Sequence, residues 1–265
     1  MAWEKKFFVD NARLYAPLLE SRESKREGEH IAMAIRRYLK GKGIDRGNIL
    51  DAPCGTGRVA IPLAKHYRVT GIDISPYFIR IARKNARMKN AVKNTRFILG
   101  DMKRLDKIFK EGKVFDAAIN VYTSIGYGSV ADDMKFFRSL RKLVKEGGFF
   151  IIYKLKNGEE QLKNPLPKKD FLYFASAGDM LVHERPRFNP KTRRYKNTWK
   201  FYRRMGKNYR FVGESGSDVR IYLPGELRKM LSKTGWKVIG IFEDLEQGKA
   251  ASERTRYMTI VARPK

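Results

Sequence analysis

The sequence has few of the residues on which redox and metal chemistry depend. Its 265 residues include one cysteine, Cys54, and three histidines. A single cysteine excludes an internal disulfide and a zinc site built on cysteines, and a reducing, cytoplasmic location is predicted. The histidines, His30, His66 and His183, show no spacing that indicates metal binding. No metal is therefore expected.

Long hydrophobic runs are also missing. The longest apolar stretches are near "FFIIY", residues 149–153, far short of the roughly 20 residues that a membrane span needs. The opening residues, "MAWEKKFFVDNARLY", have no signal-peptide core. We therefore expect no membrane association, and the cytoplasm remains the predicted location.

Acidic residues are scarce relative to basic ones. The 28 Asp and Glu face 57 Lys and Arg, which gives a formal charge of +29. A polyanionic partner would use such an excess, because binding releases counterions, and nucleic acid is the leading candidate. The alternative is a thermophile's lysine-rich surface, although such surfaces usually mix both signs.

Strand-like and helix-like segments alternate over residues 48–154. The predicted strands are Asn48–Ala52, Arg68–Asp73, Thr95–Gly100, Val114–Val121 and Phe149–Lys154. A helix is predicted after the second strand, with Ser75 as its N-cap and Pro76 at its first position. Another is predicted to end at Gly147-Gly148. This alternation is typical of a parallel sheet covered by helices.

The pattern changes after Lys154. Residues 155–222 resemble antiparallel hairpins, with a reversal at Asn189-Pro190, and the chain then ends as helix, strand and strand. The predicted fold is α/β and Rossmann-like, with helices on both faces of the sheet. We expect one domain over residues 1–154 and 223–265. Residues 155–222 would be a basic, aromatic-rich β insertion that covers the substrate.

A glycine turn follows the first predicted strand, in "ILDAPCGTGRVAI". Gly55 and Gly57 allow close approach of a ligand to the backbone, and the next helix presents free N–H groups there. The same residues also satisfy the dinucleotide-binding pattern. The glycines alone therefore do not identify the nucleotide.

Carboxylates at three strand ends favour one ligand. Asp51 and Asp73 lie at the ends of the first two strands and Asp101 follows the third, so they should meet in one crevice. Asp73 can accept both ribose hydroxyls, Asp101 the adenine amine, and Met102 can pack on the adenine. Asp51 would lie near positive charge, which fits a sulfonium and an amino group better than a pyrophosphate. S-adenosylmethionine is therefore the predicted cofactor.

Five segments resemble the successive motifs of class I S-adenosylmethionine-dependent methyltransferases: "ILDAPCGTGR", "VTGIDISPYFI", "ILGDM", "FDAAINVYTSIGY" and "EGGFFII". The resemblance implies a seven-stranded sheet with an antiparallel last strand, and S-adenosylhomocysteine as product. It implies cofactor contacts at Asp51, Gly55, Gly57, Asp73, Ile74, Asp101, Met102 and Asn120. Pro53-Cys54 and Lys145-Glu146 depart from the usual motifs without threatening cofactor binding.

Acceptor chemistry is expected after the fourth strand, where "NVYTSIGYG" contains Asn120, Tyr122 and Tyr127. Amino-methyltransferases of nucleic acids are similar at Asn120, although Val121-Tyr122 lacks their prolines. Asn120 could accept an N–H of a base amine while Tyr122 or Tyr127 stacks on that base. Asn120 and Tyr122 are thus the catalytic candidates. In the alternative, Asn120 caps a turn and the tyrosines fill the pocket wall.

The insertion interleaves basic and aromatic residues, with no acid between Glu184 and Glu214. Such a mixture suits single-stranded or locally opened RNA. The candidate substrate contacts are Tyr15, Tyr127, Arg193, Arg194, Trp199 and Arg203. The leading hypothesis is methylation of RNA, at a base nitrogen such as the exocyclic amine of cytidine in ribosomal RNA. The alternatives are a small-molecule N- or O-methyltransferase and an RNA-binding assembly factor with a vestigial cofactor site. No obligate protein partner is inferred.

Overall fold

The structure is a computed structural model that describes residues 3–110, 112–122, 124–165, 170–175 and 179–265. Its strands are β1 (Asn48–Asp51), β2 (Arg68–Asp73), β3 (Thr95–Leu99), β4 (Phe115–Val121), β5 (Val144–Lys156), β6 (Phe171–Ala175), β7 (Met180–Asn189), β8 (Arg194–Met205), β9 (Asn208–Arg220), β10 (Trp236–Asp244), β11 (Lys249–Ala250) and β12 (Tyr257–Pro264). Its α-helices are α1 (Trp3–Lys5), α2 (Ala12–Leu19), α3 (Arg22–Gly41), α4 (Ala60–Leu63), α5 (Pro76–Met88), α6 (Leu105–Ile108), α7 (Val130–Leu143), α8 (Gly158–Lys163) and α9 (Pro224–Lys233). A π-helical turn, Lys6–Asp10, joins α1 to α2.

The larger sheet has the order β11-β10-β12-β5-β4-β1-β2-β3. Strands β1 to β5 are mutually parallel, and β12 runs antiparallel to both β5 and β10. Seven of these strands form the arrangement expected from the sequence, and the two-residue β11 adds an eighth at the edge. The α/β, Rossmann-like prediction is confirmed.

The central strands are apolar on both faces because helices cover both. Alternate residues point to opposite sides, so Ile49 and Ile151 join one buried cluster while Leu50 and Phe150 join the other. Burial of each such side chain contributes about 1.5–3 kcal/mol relative to exposure. This rigid core carries the carboxyl ends of β1 to β4, where the polar residues lie.

Helix starts follow the sequence more closely than helix ends. The Ser75 hydroxyl accepts the Phe78 N–H at 3.2 Å, and Pro76 is the first residue of α5, as predicted. Helix α7 ends at Leu143, before the glycines, which corrects the predicted end. Val144 already pairs with Phe115, so sheet formation ends the helix earlier.

The smaller sheet is antiparallel, with the order β6-β7-β8-β9, and lies within the predicted insertion. Its reversal between Asn189 and Arg194 falls where the sequence predicted it. The short helix α8 was not predicted; the Asn157 side chain caps it by accepting the Glu159 N–H at 3.0 Å. No helix in the described ranges is long and apolar enough to span a membrane.

Candidate active site

A cavity of about 540 Å³ lies at the carboxyl ends of β1 to β4. Its walls come from those strand ends, from the inner face of the smaller sheet and from the N-terminal helices. The predicted residues that line it are Tyr15, Asp51, Gly55, Asp73, Ile74, Asp101, Met102, Tyr122, Tyr127 and Trp199. One cavity therefore joins most of the predicted cofactor residues to several of the predicted substrate residues.

Asp73 organises the glycine turn. Its Oδ2 accepts the Gly55 N–H at 2.8 Å, and its Oδ1 accepts the Ser75 N–H at 2.8 Å. Gly55 has a φ of +53°, a conformation that glycine adopts readily. Burial raises the pKa of Asp73 to about 6, although the two backbone N–H groups favour the charged form. Each carboxylate oxygen keeps capacity for a further donor, such as a ribose hydroxyl.

Asp51 is a buried carboxylate with an incomplete set of partners. It is 1% exposed, and its Oδ1 has no hydrogen-bond partner among the described residues. Burial and the nearby Asp73 charge raise the pKa of Asp51 well above its usual value, while Arg58 opposes this shift. A cationic ligand group would pair with this oxygen and offset its desolvation. The site thus fits a ligand that carries positive charge beside a ribose.

The residues predicted to contact adenine also lie at the cavity wall. Met102 is largely buried at the cavity wall, and Ile74 is 36% exposed there. Asp101 Oδ1 accepts the Lys103 N–H at 2.9 Å, which fixes the turn after β3. Within the described residues, no group of three or more His, Cys, Asp or Glu side chains is arranged to hold a metal ion.

Two predicted cofactor residues lie behind the described cavity wall. At Gly57, with φ of +81°, an added Cβ would lie 3.1 Å from both Ile61 and Phe97, so this glycine allows close packing beneath the turn. Asn120 is fully buried, and its Nδ2 donates to the Ala52 carbonyl at 2.7 Å. Its Oδ1 has no partner among the described residues. This placement favours a structural role, and amine activation by Asn120 stays a prediction.

Tyr122 does line the cavity, in a network that the sequence did not indicate. The Arg58 guanidinium lies 4.7 Å from the centre of its ring. Glu27 is 3.5 Å from Arg58 and 3.1 Å from the Lys154 ammonium. Burial raises the pKa of Tyr122, and the neighbouring Glu27 adds to this shift. Tyr122 has a φ of +64°, which is uncommon for a residue with a Cβ.

Aromatic residues of the N-terminal helices close the cavity. Trp3 Nε1 donates to the Tyr127 carbonyl at 3.2 Å, and Phe8 stacks on the Tyr127 ring with centroids 5.6 Å apart. Phe7 contacts both Tyr15 and Trp199, with centroids 5.0 and 4.9 Å apart. The predicted substrate contacts Tyr15, Tyr127 and Trp199 are thus parts of one aromatic wall.

The inner face of the smaller sheet supplies polar residues that the sequence reasoning missed. Glu184, Tyr195 and Asn197 line the cavity beside Trp199. Asn197 is 3% exposed, and its Nδ2 donates to Glu184 Oε2 at 3.1 Å. The period-two alternation of β8 places Tyr195, Asn197 and Trp199 on one face and could have indicated them. Glu184 could not be found this way, because its partner depends on the register of β7 against β8.

The three predicted arginine contacts lie elsewhere. Arg193 pairs with Glu226 at 2.7 Å, and Arg194 pairs with Asp218 at 2.6 Å. Arg203 is exposed near the end of β8 and is outside the cavity wall formed by the described residues. Acids that follow the acid-free segment in sequence therefore neutralise part of its charge.

A comparison of the sequence with protein families finds a match over the part of the chain that forms these strand ends. Residues 49–148 match the family described as "Methyltransferase domain". This part of the chain, from β1 into β5, is therefore similar to a methyltransferase domain. The matched residues include the glycine turn, Asp73, Asp101 and Asn120, which the structure groups at the carboxyl edge of the sheet.

Comparisons with individual proteins extend this result. The chain is similar to the S-adenosyl-L-methionine-dependent Diels-Alderase iccD of Talaromyces variabilis, at 35% identity over 122 residues, or 44% of this chain and 40% of that protein. Ajmaline N-methyltransferase of Rauvolfia serpentina is 30% identical over 107 residues, or 40% of this chain and 35% of that protein. The chain thus spans less than half the length of these relatives.

A solved structure matches almost the whole chain. It is an S-adenosylmethionine-dependent methyltransferase from Clostridium acetobutylicum, with a TM-score of 0.77 and 19% identity. The match covers 96% of this chain and 98% of that one. At this level of identity the likeness shows a shared fold.

Proposed function

We propose that this protein is an S-adenosylmethionine-dependent methyltransferase that modifies a nitrogen or oxygen of a small molecule. The observation that carries the proposal is the cavity of about 540 Å³, which joins a nucleoside-type site to an aromatic acceptor site beneath the smaller sheet. A small acceptor can fill such a pocket and bury most of its surface. The relative named ajmaline N-methyltransferase is consistent with this substrate class.

The cofactor half offers a partner for each part of the proposed ligand. Asp73 would accept the ribose hydroxyls, Asp101 the adenine amine, and Met102 would pack on the adenine ring. Asp51 Oδ1, which has no hydrogen-bond partner among the described residues, would meet positive charge. When bound, S-adenosylmethionine supplies an electrophilic methyl group on a sulfonium.

The protein's own contribution to the reaction is positioning and exclusion of water. The bound cofactor would supply the methyl group to the acceptor's lone pair, and its sulfur would keep the electron pair of the broken carbon–sulfur bond. Tyr15, Tyr127 and Trp199 would orient the acceptor toward the cofactor half while the N-terminal helices exclude solvent. Orientation of two reactants can supply about 7–11 kcal/mol of a barrier in favourable cases.

RNA methylation is a second candidate, favoured by the formal charge of +29. The insertion gives it less support than expected, because Arg193 and Arg194 are ion-paired and Trp199 faces the cavity. Methylation of cytidine in ribosomal RNA therefore ranks below the small-molecule proposal.

The deciding experiment supplies methyl-labelled S-adenosylmethionine with three separate acceptors: small metabolites, total RNA and protein. We expect label in the metabolite fraction, and its loss in Asp73→Ala. Asp106→Ala, which changes an exposed carboxylate of α6, is the matched control. Label in RNA would favour the second candidate. Cofactor binding without any transfer would contradict methyltransferase activity, an outcome made relevant by the relative named for Diels-Alder chemistry.

A further inference from the structure

Resting on the proposed function, we infer that the methyl acceptor is an amine that carries an oxygen nearby. Glu184 and Asn197 bind the nitrogen, and Trp199 Nε1 donates to the oxygen. This inference names Glu184 as the residue that selects an amine over an alcohol. It concerns the acceptor half alone.

The first observation is the charge of this part of the wall. The described residues of the smaller sheet that line the cavity are Glu184, Tyr195, Asn197, Trp199, Ser217 and Val219. Glu184 is the single acid of this set. Its carboxylate accepts from Asn197 Nδ2, and a carboxylate can accept several donors at once, among which a charged nitrogen is the strongest.

The second observation is a buried acceptor beside that carboxylate. Because Asn197 Nδ2 donates to Glu184 Oε2 at 3.1 Å, the opposite atom of the amide must be Oδ1. That Oδ1 is buried and has no hydrogen-bond partner among the described residues. A ligand nitrogen between the two side chains would meet two acceptors. An ammonium has three N–H donors and can satisfy both, whereas a hydroxyl has one.

The third observation is a buried donor on the same face of β8. Trp199 Nε1 has no hydrogen-bond partner within the described part of the chain. Indole nitrogen donates and cannot accept, so its ligand partner must be an acceptor such as a hydroxyl or ether oxygen. Trp199 is two residues beyond Asn197, about 7 Å along the strand. One small amino alcohol can therefore reach both positions.

The neighbouring rings also suit a cation. Tyr15, Tyr195 and Trp199 surround this part of the cavity, and aromatic faces attract ammonium groups. The Lys156 ammonium already lies 4.7 Å from the centre of the Tyr195 ring. Binding of a second amine near the same wall would be stabilised by the Glu184 charge.

Glu184 would also accept the proton that the ammonium must lose before its nitrogen can be methylated. An ammonium has no free lone pair, so one N–H proton passes to the Glu184 carboxylate before methyl transfer. The freed lone pair then forms the carbon–nitrogen bond while the carbon–sulfur electrons stay on sulfur. The proton on Glu184 leaves to solvent water, and the restored carboxylate pairs with the methylated ammonium. Charge and protons balance over the cycle.

The experiment compares amines with alcohols of the same shape. The probes are trans-2-aminocyclohexanol and trans-cyclohexane-1,2-diol, and glucosamine and glucose. Their affinities are measured by titration calorimetry with and without S-adenosylhomocysteine, and their methylation is measured with labelled cofactor. We expect tighter binding of each amine by about tenfold or more, since a charged hydrogen bond is lost in the alcohol. Label should appear on nitrogen.

Three variants separate the possible causes. Glu184→Gln should remove the amine preference, Glu184→Asp should keep part of it, and neither should change S-adenosylhomocysteine affinity. Glu214→Gln, which alters an exposed acid of the same sheet, should bind the probes as the wild type does. Equal binding of amine and alcohol, no amine binding at all, or an unchanged preference in Glu184→Gln would overturn the inference. Failure of S-adenosylhomocysteine to bind would instead contradict the proposed function.

Discussion

The two halves of the cavity are built in different ways. The cofactor half comes from backbone turns at strand ends, and Asp73 holds it together through bonds to Gly55 and Ser75. The proposed acceptor half comes from side chains of the smaller sheet and the N-terminal helices, such as Glu184 and Tyr15. The first arrangement suits a ligand shared by many enzymes. The second can change residue by residue while the fold stays the same.

The largest expected effect is on the cofactor half. Asp73→Ala should weaken S-adenosylhomocysteine binding by roughly 10- to 100-fold, or about 1.4–2.7 kcal/mol. The variant loses the proposed ribose acceptors and the bonds that shape the turn. Titration calorimetry measures the change, with Asp106→Ala as control. An unchanged affinity would show that this half does not bind the ribose as described.

Substitution of Asn120 tests whether this residue stabilises the fold or takes part in the acceptor chemistry. Asn120→Ala should lower the free energy of unfolding by about 2 kcal/mol, because the Ala52 carbonyl loses its buried donor. Urea denaturation measures this loss. If the variant keeps its stability but loses single-turnover methylation, Asn120 belongs to the acceptor chemistry, as the sequence first suggested.

The affinity for S-adenosylhomocysteine should depend on pH through the Asp73 carboxyl of the cofactor half. Burial raises the pKa of Asp73 to about 6, so this carboxyl becomes protonated as the pH falls through that value. The protonated form accepts ribose hydroxyls poorly. S-adenosylhomocysteine affinity should therefore fall by roughly tenfold between about pH 7 and pH 5. Asp73→Asn should flatten the profile.

The same pKa shift has the opposite consequence for folding. A raised carboxyl pKa means that the folded state holds the proton more tightly than the unfolded state. The Asp73 contribution to stability is therefore present at low pH and is lost as pH rises from about 4 to about 6. Asp133, whose pKa burial also raises to about 6, acts in the same direction. The pH dependence of S-adenosylhomocysteine binding therefore reports on Asp73 more specifically than the pH dependence of stability does.

The smallest effect is expected for the arginines outside the cavity. Arg193→Ala or Arg194→Ala should lower the free energy of unfolding by about 1 kcal/mol or less, since their ion pairs are partly exposed. Methyl transfer to the small acceptor should not change. A filter-binding salt series provides the opposing test: steeply salt-dependent RNA binding that these substitutions flatten would restore RNA as the partner.

The grouping of the strand-end residues at one cavity could be predicted from the sequence because its signals are local. Gly55 lies four residues after Asp51, and Ser75 lies two residues after Asp73. Each is tied to the end of one strand, and parallel strands bring those ends together. Helix α8 was missed because its cap, Asn157, lies in a segment whose other residues favour hairpins.

The acceptor half was less predictable because its contacts cross long stretches of chain. Arg193 forms an ion pair with Glu226, which lies outside the acid-free segment between Glu184 and Glu214. Asn197 meets Glu184 only through the antiparallel register of β7 and β8. Trp199 lines the cavity, and it is held there by packing against Phe7 and Tyr15, while its contact with a substrate stays a prediction. The division into residues 1–154 with 223–265, and 155–222, stays a prediction.

The most direct test of this account is the position of the methyl group in the labelled product. The wild-type protein is supplied with labelled S-adenosylmethionine and a metabolite extract together with total RNA, and the labelled product is identified by mass spectrometry. The account predicts a small molecule methylated on an amine nitrogen, and loss of that product in Glu184→Gln. A methylated nucleoside in RNA, or a methyl group on carbon, would contradict the proposed function, and a methyl group on the oxygen of a small molecule would contradict the role inferred for Glu184.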